Sequence, residues 1–390
     1  MPEAIMTTYK RLDVAFETGQ GAWLIDGQGT RYLDALSGIA VCGLGHAHPG
    51  IADVVAQQAR RLVHTSNLYR IPLQEKLARS LAGLAGMDRV FFCNSGAEAN
   101  EAAIKICRKF AAHKQLSDPL IVVMEGSFHG RTMATLSATG KPEVRAGFSP
   151  LLPGFQYIPY NDVSALEQVE AGRGQVVAVM LEAVQGEGGV VIPDPGYLQA
   201  LRRICDRNGW LLILDEVQTG LCRTGAWFAY QHEGIRPDVV TLAKSLGNGL
   251  PVGACLASGT AAGMLQPGSH GSTFGGNPLA SAAALAVTEI MSAGNLAERA
   301  AEFGRIMLDR FRAELGDLDE VVEIRGKGLM IGIELSRDCA GLVDQALEQR
   351  LLINVTAGKV VRLLPPLVIS EEELHHIVDT VCLLVKKFAG

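Results

Sequence analysis

Four short segments hold the residue types from which chemistry could be built. Lys244 follows an apolar run and precedes small residues, in Leu242-Ala243-Lys244-Ser245-Leu246-Gly247. Partial burial there lowers a lysine's pKa, and an uncharged amine can condense with a carbonyl. A lysine that snorkels to solvent fits the same pattern. Asp215-Glu216 ends the run Trp-Leu-Leu-Ile-Leu. A carboxylate at the end of a buried strand is costly unless it meets a cation. Asp215 could face a heterocyclic nitrogen and keep it protonated, which makes the ring an electron sink beside an imine; a solvated loop acid is the plainer alternative. In Asn94-Ser95-Gly96-Ala97-Glu98, Ser95 and Glu98 have the spacing of a capping box. The free N–H groups of such a helix start suit a phosphate, or only a cap. Arg131, in Phe-His-Gly-Arg-Thr, and Arg362, in Val-Val-Arg-Leu-Leu-Pro-Pro, interrupt compact or apolar surroundings. Arginine's planar fork matches carboxylates, in a substrate or in a structural ion pair.

These residues need a frame that brings them together. Apolar runs at 89–93, 120–124, 176–181, 210–214, 239–242 and 253–257 are nearly continuous in Val, Ile, Leu and Met. Such runs mark strands buried on both faces of a mostly parallel sheet. Helical patterns lie between some of them, at 97–114 and 196–207, the latter closed by Asn208-Gly209. The reading is an α/β layered domain. Ligands in such sheets bind beyond the C-terminal strand ends. Five runs pass there into polar or glycine-rich loops, NSGAE, EGSFHGRT, EAVQGEGG, DEVQTG and AKSLGNG, so one composite site is expected on one rim. From about residue 277 the pattern changes to helices at 278–292 and 298–315, strand-like segments at 327–335 and 359–364, and a last helix at 370–388 opened by a Ser370/Glu373 capping box. The expected division is a large domain over 61–280 and a smaller α+β domain over 281–390, completed by residues 1–60.

Composition narrows the classes. The 390 residues are 48% hydrophobic and 19% charged, with a net charge of -6, which offers no basic stripe for nucleic acid or an anionic membrane. No apolar stretch has the length of a signal peptide or a membrane span. The eight cysteines are scattered without a CxxC pair, which points to a reducing compartment, here the cytoplasm, and away from a zinc site. The 44 glycines exceed the usual share of about 7% and gather in loops after apolar runs, where backbone can approach a ligand. There is no G-x-G-x-x-G at the first βα turn, which argues against a dinucleotide oxidoreductase.

The segments SGAEANEAAIK, FHGRT, QGEGGV, LDEVQTGLCRTG, PDVVTLAKSLGNGLPVGA and HGSTFGGNPLA resemble, in order and spacing, those of class III aminotransferases. The resemblance runs from about Tyr9 to the C-terminus. It implies a fold-type I transferase, with a seven-stranded, mostly parallel sheet in the large domain, and the cofactor pyridoxal 5′-phosphate. It implies that Lys244 links covalently to the cofactor and then shuttles a proton, and that Asp215 pairs with the ring nitrogen. Gln218 would bond the ring's 3-oxygen and Phe128 would stack on the ring. Ser95, Gly96 and Ala97 would hold the phosphate, joined by Thr273 from a second subunit of a homodimer. Ser272 would lie nearer the substrate, and Arg131 would clamp a substrate carboxylate. Arg362 would take the α-carboxylate of glutamate or 2-oxoglutarate, with Glu187 covering it otherwise. The resemblance implies N2-acetyl-L-ornithine as the amino donor and 2-oxoglutarate as the acceptor; ornithine, succinylornithine, succinyl-diaminopimelate and 4-aminobutyrate are the alternative donors. Ile39 stands where ornithine-specific members carry tyrosine and cannot bond a free α-amino group. Cys42 and Ala183 stand where asparagine and proline are common in the class.

Overall fold

The computed structural model describes residues 4–171 and 175–390. Three short strands come first: β1 (Phe16–Gln20), β2 (Trp23–Asp26) and β3 (Arg31–Asp34). Seven more follow: β4 (Arg89–Cys93), β5 (Pro119–Met124), β6 (Phe155–Ile158), β7 (Gln175–Glu182), β8 (Leu211–Asp215), β9 (Val239–Leu242) and β10 (Gly253–Ala257). These seven form one sheet in the order β4-β10-β9-β8-β7-β5-β6. Neighbours from β9 to β6 pair in parallel, whereas β10 is antiparallel to both β9 and β4. Only β10 is reversed, so the C-terminal ends of β4, β5, β7, β8 and β9 open on one rim. Residues 121–124, 177–181 and 212–214 are fully buried. Layers cover both faces of the sheet there, which is why these strands carry no polar alternation.

The sequence reading lacks β6. Its Phe-Gln-Tyr-Ile is half-buried at the sheet edge and too short and mixed to stand out. The single strand expected at 327–335 is a hairpin of β11 (Val321–Lys327) and β12 (Met330–Leu335). Gly328 breaks it with φ at +54°, an angle glycine adopts without strain. Further on lie β13 (Leu351–Leu352), β14 (Asn354–Thr356) and β15 (Val360–Leu363). The second sheet has the order β1-β2-β3-β13, the third β11-β12-β15-β14. Pairing of Leu351 with Leu33 and Leu352 with Asp34 ties the N-terminal strands to the C-terminal part of the chain.

The helices fall close to their expected bounds: Gly96–His113, Tyr197–Asn208, Pro278–Ala293, Leu296–Leu315 and Glu371–Ala389. Gly209 ends the second in the left-handed conformation, and Ser370 and Glu373 make both bonds of the expected capping box. Among the described residues no single helix is long and apolar enough to cross a membrane. All eight cysteines are free thiols, seven of them buried.

One segment is visibly strained. Ser37, Gly38, Ile39 and Ala40 have φ values of +48°, +64°, +63° and +60°, a left-handed turn that costs roughly 1–2 kcal/mol per non-glycine residue. Its anchors offset that cost. Asp34 Oδ1 accepts from the N–H groups of Leu36 (2.9 Å) and Ser37 (2.7 Å), and the Ser37 hydroxyl donates to Leu364 O (2.7 Å). Ser245, next to Lys244, donates to Ala40 O at 2.8 Å. The turn that presents Ile39, itself 37% exposed, is thereby locked to the lysine segment.

Candidate active site

The rim of the large sheet holds a cavity of about 430 Å³ lined by Ser95, Gly96, Ala97, Phe128, Arg131, Glu187, Asp215, Gln218 and Lys244, among others. That volume suits a cofactor-sized ligand. Nine of the twelve residues singled out in the sequence therefore meet in one place. Arg362, Ser272 and Thr273 are not in the wall. Arg362 lies behind it, fully buried. Ser272 sits at the margin, where its hydroxyl accepts from Asn94 Nδ2 (3.2 Å) and Gly275 N–H (3.0 Å). Thr273 is exposed.

Lys244 follows β9 with φ at +46°, a conformation that non-glycine residues hold only where the surroundings impose it. Burial lowers its pKa and the Arg362 charge lowers it further, against the opposing pull of Asp215, Glu187 and Glu182. The amine is thus kept closer to its reactive, uncharged form.

Asp215 ends β8 and is buried. Its Oδ2 accepts from Asn100 Nδ2 (2.7 Å) and pairs with His129 Nδ1 (2.8 Å); its Oδ1 accepts from Val217 N–H (3.0 Å). Asn100 is held in turn by the Thr241 hydroxyl, which donates to its Oδ1 at 2.7 Å, and by its own bond to His129 O. One strand over, Glu182 pairs directly with Asp215 across β7 and β8. Its carboxylate accepts from Phe128 N–H and Gly186 N–H, both at 2.9 Å. Burial pushes its pKa up to about 7. Asn100, His129 and Glu182 escaped the sequence reading. His129 stood inside a quoted motif, and Asn100 faces inward on the helix Gly96–His113, so buried polar residues there were the available signal.

At the start of that helix the Ser95 hydroxyl accepts from Glu98 N–H at 3.2 Å. The expected capping box is modified: Glu98 reaches past Ser95 and accepts from Asn94 N–H at 2.6 Å. The first-turn N–H groups of Gly96 and Ala97 have no intrahelical acceptor. A Cβ on Gly96 would come within 2.7 Å of Val217, and one on Gly253 within 2.4 Å of Ser95 O. Both glycines let the β10 edge and the Val217 wall close on the 94–97 turn, forming a cradle for an anion.

Arg362 Nη1 donates to Glu187 Oε1 at 2.7 Å and to Gln218 Oε1 at 3.2 Å. Burial favours the neutral form of Glu187, but Arg362, Lys244 and Lys141 hold its pKa below the usual carboxylate range. Arg131 is exposed at the cavity mouth, its guanidinium 5.4 Å from the centre of the Phe128 ring.

The site thus offers an anion cradle at a helix start, a buried hydrogen-bonded carboxylate, a buried amine of lowered pKa and two arginines. These are the donors and acceptors that a pyridoxal phosphate calls for: its phosphate, its ring nitrogen and its aldehyde each find a matching group.

Comparison with known proteins agrees. The profile of the family described as aminotransferase class-III matches residues 5–384. Acetylornithine aminotransferase of Nitrosomonas europaea is 54% identical over 384 residues, covering 98% of both chains. Acetylornithine aminotransferase 1 of Bordetella pertussis is 50% identical over 388 residues, covering 100% of this chain and 99% of the other. Among solved structures, ornithine aminotransferase from Toxoplasma gondii superposes with a TM-score of 0.95 at 36% identity, covering 99% of this chain and 93% of that one. N-acetylornithine aminotransferase from Stenotrophomonas maltophilia gives 0.84 at 38%, covering 97% of each. The chain belongs to the class-III aminotransferases, enzymes that work with pyridoxal 5′-phosphate on the fold-type I scaffold.

Proposed function

We propose that the enzyme moves the terminal amino group of N2-acetyl-L-ornithine to 2-oxoglutarate, giving N-acetylglutamate 5-semialdehyde and glutamate, a step of arginine biosynthesis. The carrying observation is the Glu187–Arg362 pair beside Lys244. A donor whose reacting end is a bare amine has no carboxylate for Arg362, and Glu187 then covers that charge. A keto acid with a carboxylate beside its carbonyl takes Glu187's place. Arg131 at the mouth would hold the carboxylate at the far end of either substrate. The apolar Ile39 favours an acylated donor over one with a free α-amino group, and the relatives named above act, by their names, on acetylornithine.

In this reading Ser95, Gly96 and Ala97 would hold the cofactor's phosphate, Asp215 its ring nitrogen, Gln218 its ring oxygen and Phe128 its ring face. When bound, the cofactor supplies an electron sink for the charge that develops at the substrate carbon. Lys244 takes a proton from the donor's carbon in one half-reaction and delivers one to the keto acid's carbon in the other, a task for which a pKa lowered by burial is suited. Asn100 and His129 orient Asp215. Thr273, exposed and outside the lining of its own cavity, would complete the phosphate cradle of a second subunit in a homodimer. The free thiols suit the cytoplasm, where we place the reaction.

A panel of amino donors, each offered with 2-oxoglutarate while glutamate is followed, tests the assignment. N-acetylornithine should exceed ornithine and 4-aminobutyrate in kcat/KM by roughly tenfold or more, the discrimination a few contacts provide. Preference for free ornithine or 4-aminobutyrate would overturn it.

A further inference from the structure

We propose that Asn354 is a positioning residue that fixes the carboxylate-binding edge of Arg362, so that only Glu187 moves when the enzyme changes substrate. The inference rests on the proposed role of Arg362 in binding 2-oxoglutarate. Asn354 on β14 is the direct cross-strand partner of Arg362 on β15, so the two side chains share a face of the sheet. Asn354 Oδ1 accepts from both Nε (3.1 Å) and Nη2 (2.8 Å) of Arg362. It therefore occupies the side edge of the guanidinium.

A guanidinium has five N–H donors. Asn354 takes Nε–H and one hydrogen of Nη2. Glu187 and Gln218 share Nη1. The remaining Nη2–H lies on the end edge, beside the bond to Glu187. Departure of Glu187 alone leaves one hydrogen on Nη1 and one on Nη2, the parallel pair that binds a carboxylate in bidentate fashion. Without Asn354 the guanidinium could turn its side edge to the incoming group, and that edge would otherwise be a buried, unpaired donor pair.

The two members of the ion pair differ in their freedom. The Arg362 side chain is 1% exposed and that of Glu187 31%. Yet the backbone at Glu187 is pinned: its carbonyl accepts from Lys141 Nζ (2.5 Å) and from the Thr356 hydroxyl (2.6 Å). Arg325 holds the next residues through Gly189 O and Val190 O. The exchange is confined to the Glu187 side chain, swinging against a guanidinium that Asn354 and Gln218 keep still.

The test is Asn354→Leu, alike in branching and heavy-atom count and without an acceptor, measured as holoenzyme in the two half-reactions separately. Loss of hydrogen bonds to a charged group predicts a rise of about 10- to 100-fold in the KM or Kd for 2-oxoglutarate. The rate and KM for N-acetylornithine should stay within about twofold, since that half-reaction proceeds with Glu187 on Arg362. An unchanged KM for 2-oxoglutarate overturns the proposal. So does an equal loss in both half-reactions, which would mark a merely structural asparagine. If the wild type itself fails to use 2-oxoglutarate, the proposed function is what falls.

Discussion

Glu216, next to the buried acid Asp215 at the end of β8, is an internal gauge of how dry this rim is. It is buried, its Oε1 accepts from Tyr230 N–H at 3.0 Å, and its Oε2 accepts from the Thr219 hydroxyl. Burial, aided by the Asp215 charge, pushes its pKa from the usual 4.5 up to about 7. The folded protein therefore holds this proton more tightly than the unfolded chain. The stability linked to it is complete below pH 4.5 and is lost as pH rises to 7. Glu216→Gln keeps both contacts, with its amide donating to Thr219, and removes the charge. Urea unfolding at pH 5 and pH 8 should show the variant gaining on the wild type at the higher pH, on the order of 1–3 kcal/mol; equal pH dependence in both proteins would contradict the burial argument. At this scale the sequence was readable where a charge ended an apolar run, as at Lys244 and Asp215. It was not readable at Glu182 or Asn354. Their meaning depends on which residue lies across the neighbouring strand, and that is a property of register.

Among the elements, the strands with unbroken apolar runs were legible, and so were the helices with clear caps. Edge strand β6 and the β11–β12 hairpin were not, since half-buried segments and a tight glycine turn leave little periodic trace. The loops around Asn67 and Ser272 have a consequence of their own. Asn67 Nδ2 donates to Ser272 O and Gly275 O, both at 3.0 Å, and Gln74 Nε2 donates to Gly276 O at 3.1 Å. The joined loops expose Leu68 (87%), Tyr69 (70%) and Phe274 (61%) beside the exposed Thr273. An apolar rim beside the anion cradle is where the second copy of the proposed homodimer should dock. Light scattering should give twice the 41.5 kDa chain mass, and paired Tyr69→Asp and Phe274→Asp changes should shift it toward one chain while weakening cofactor retention. A single-chain mass for the unaltered protein would refute the shared site.

On the scale of the whole molecule, strand direction is what turns scattered motifs into a site. One reversed strand, β10, leaves the other six opening on the same rim. Residues as distant in sequence as Ser95 and Lys244 thereby line one cavity. The third sheet, through β15, brings Arg362 behind Glu187 from more than 170 positions away. The convergence of five glycine-rich loops was visible in the chain. The depth at which Arg362 lies was not, for it follows from packing between sheets.

The central claim is that the Lys244 amine is the covalent anchor of pyridoxal phosphate. Borohydride reduction of the cofactor-loaded protein, followed by digestion and mass spectrometry, should place a single pyridoxyl group on Lys244, and Lys244→Ala should carry none and show no transamination while unfolding like the wild type. A pyridoxyl group on another lysine, or turnover that survives the substitution, would contradict the account.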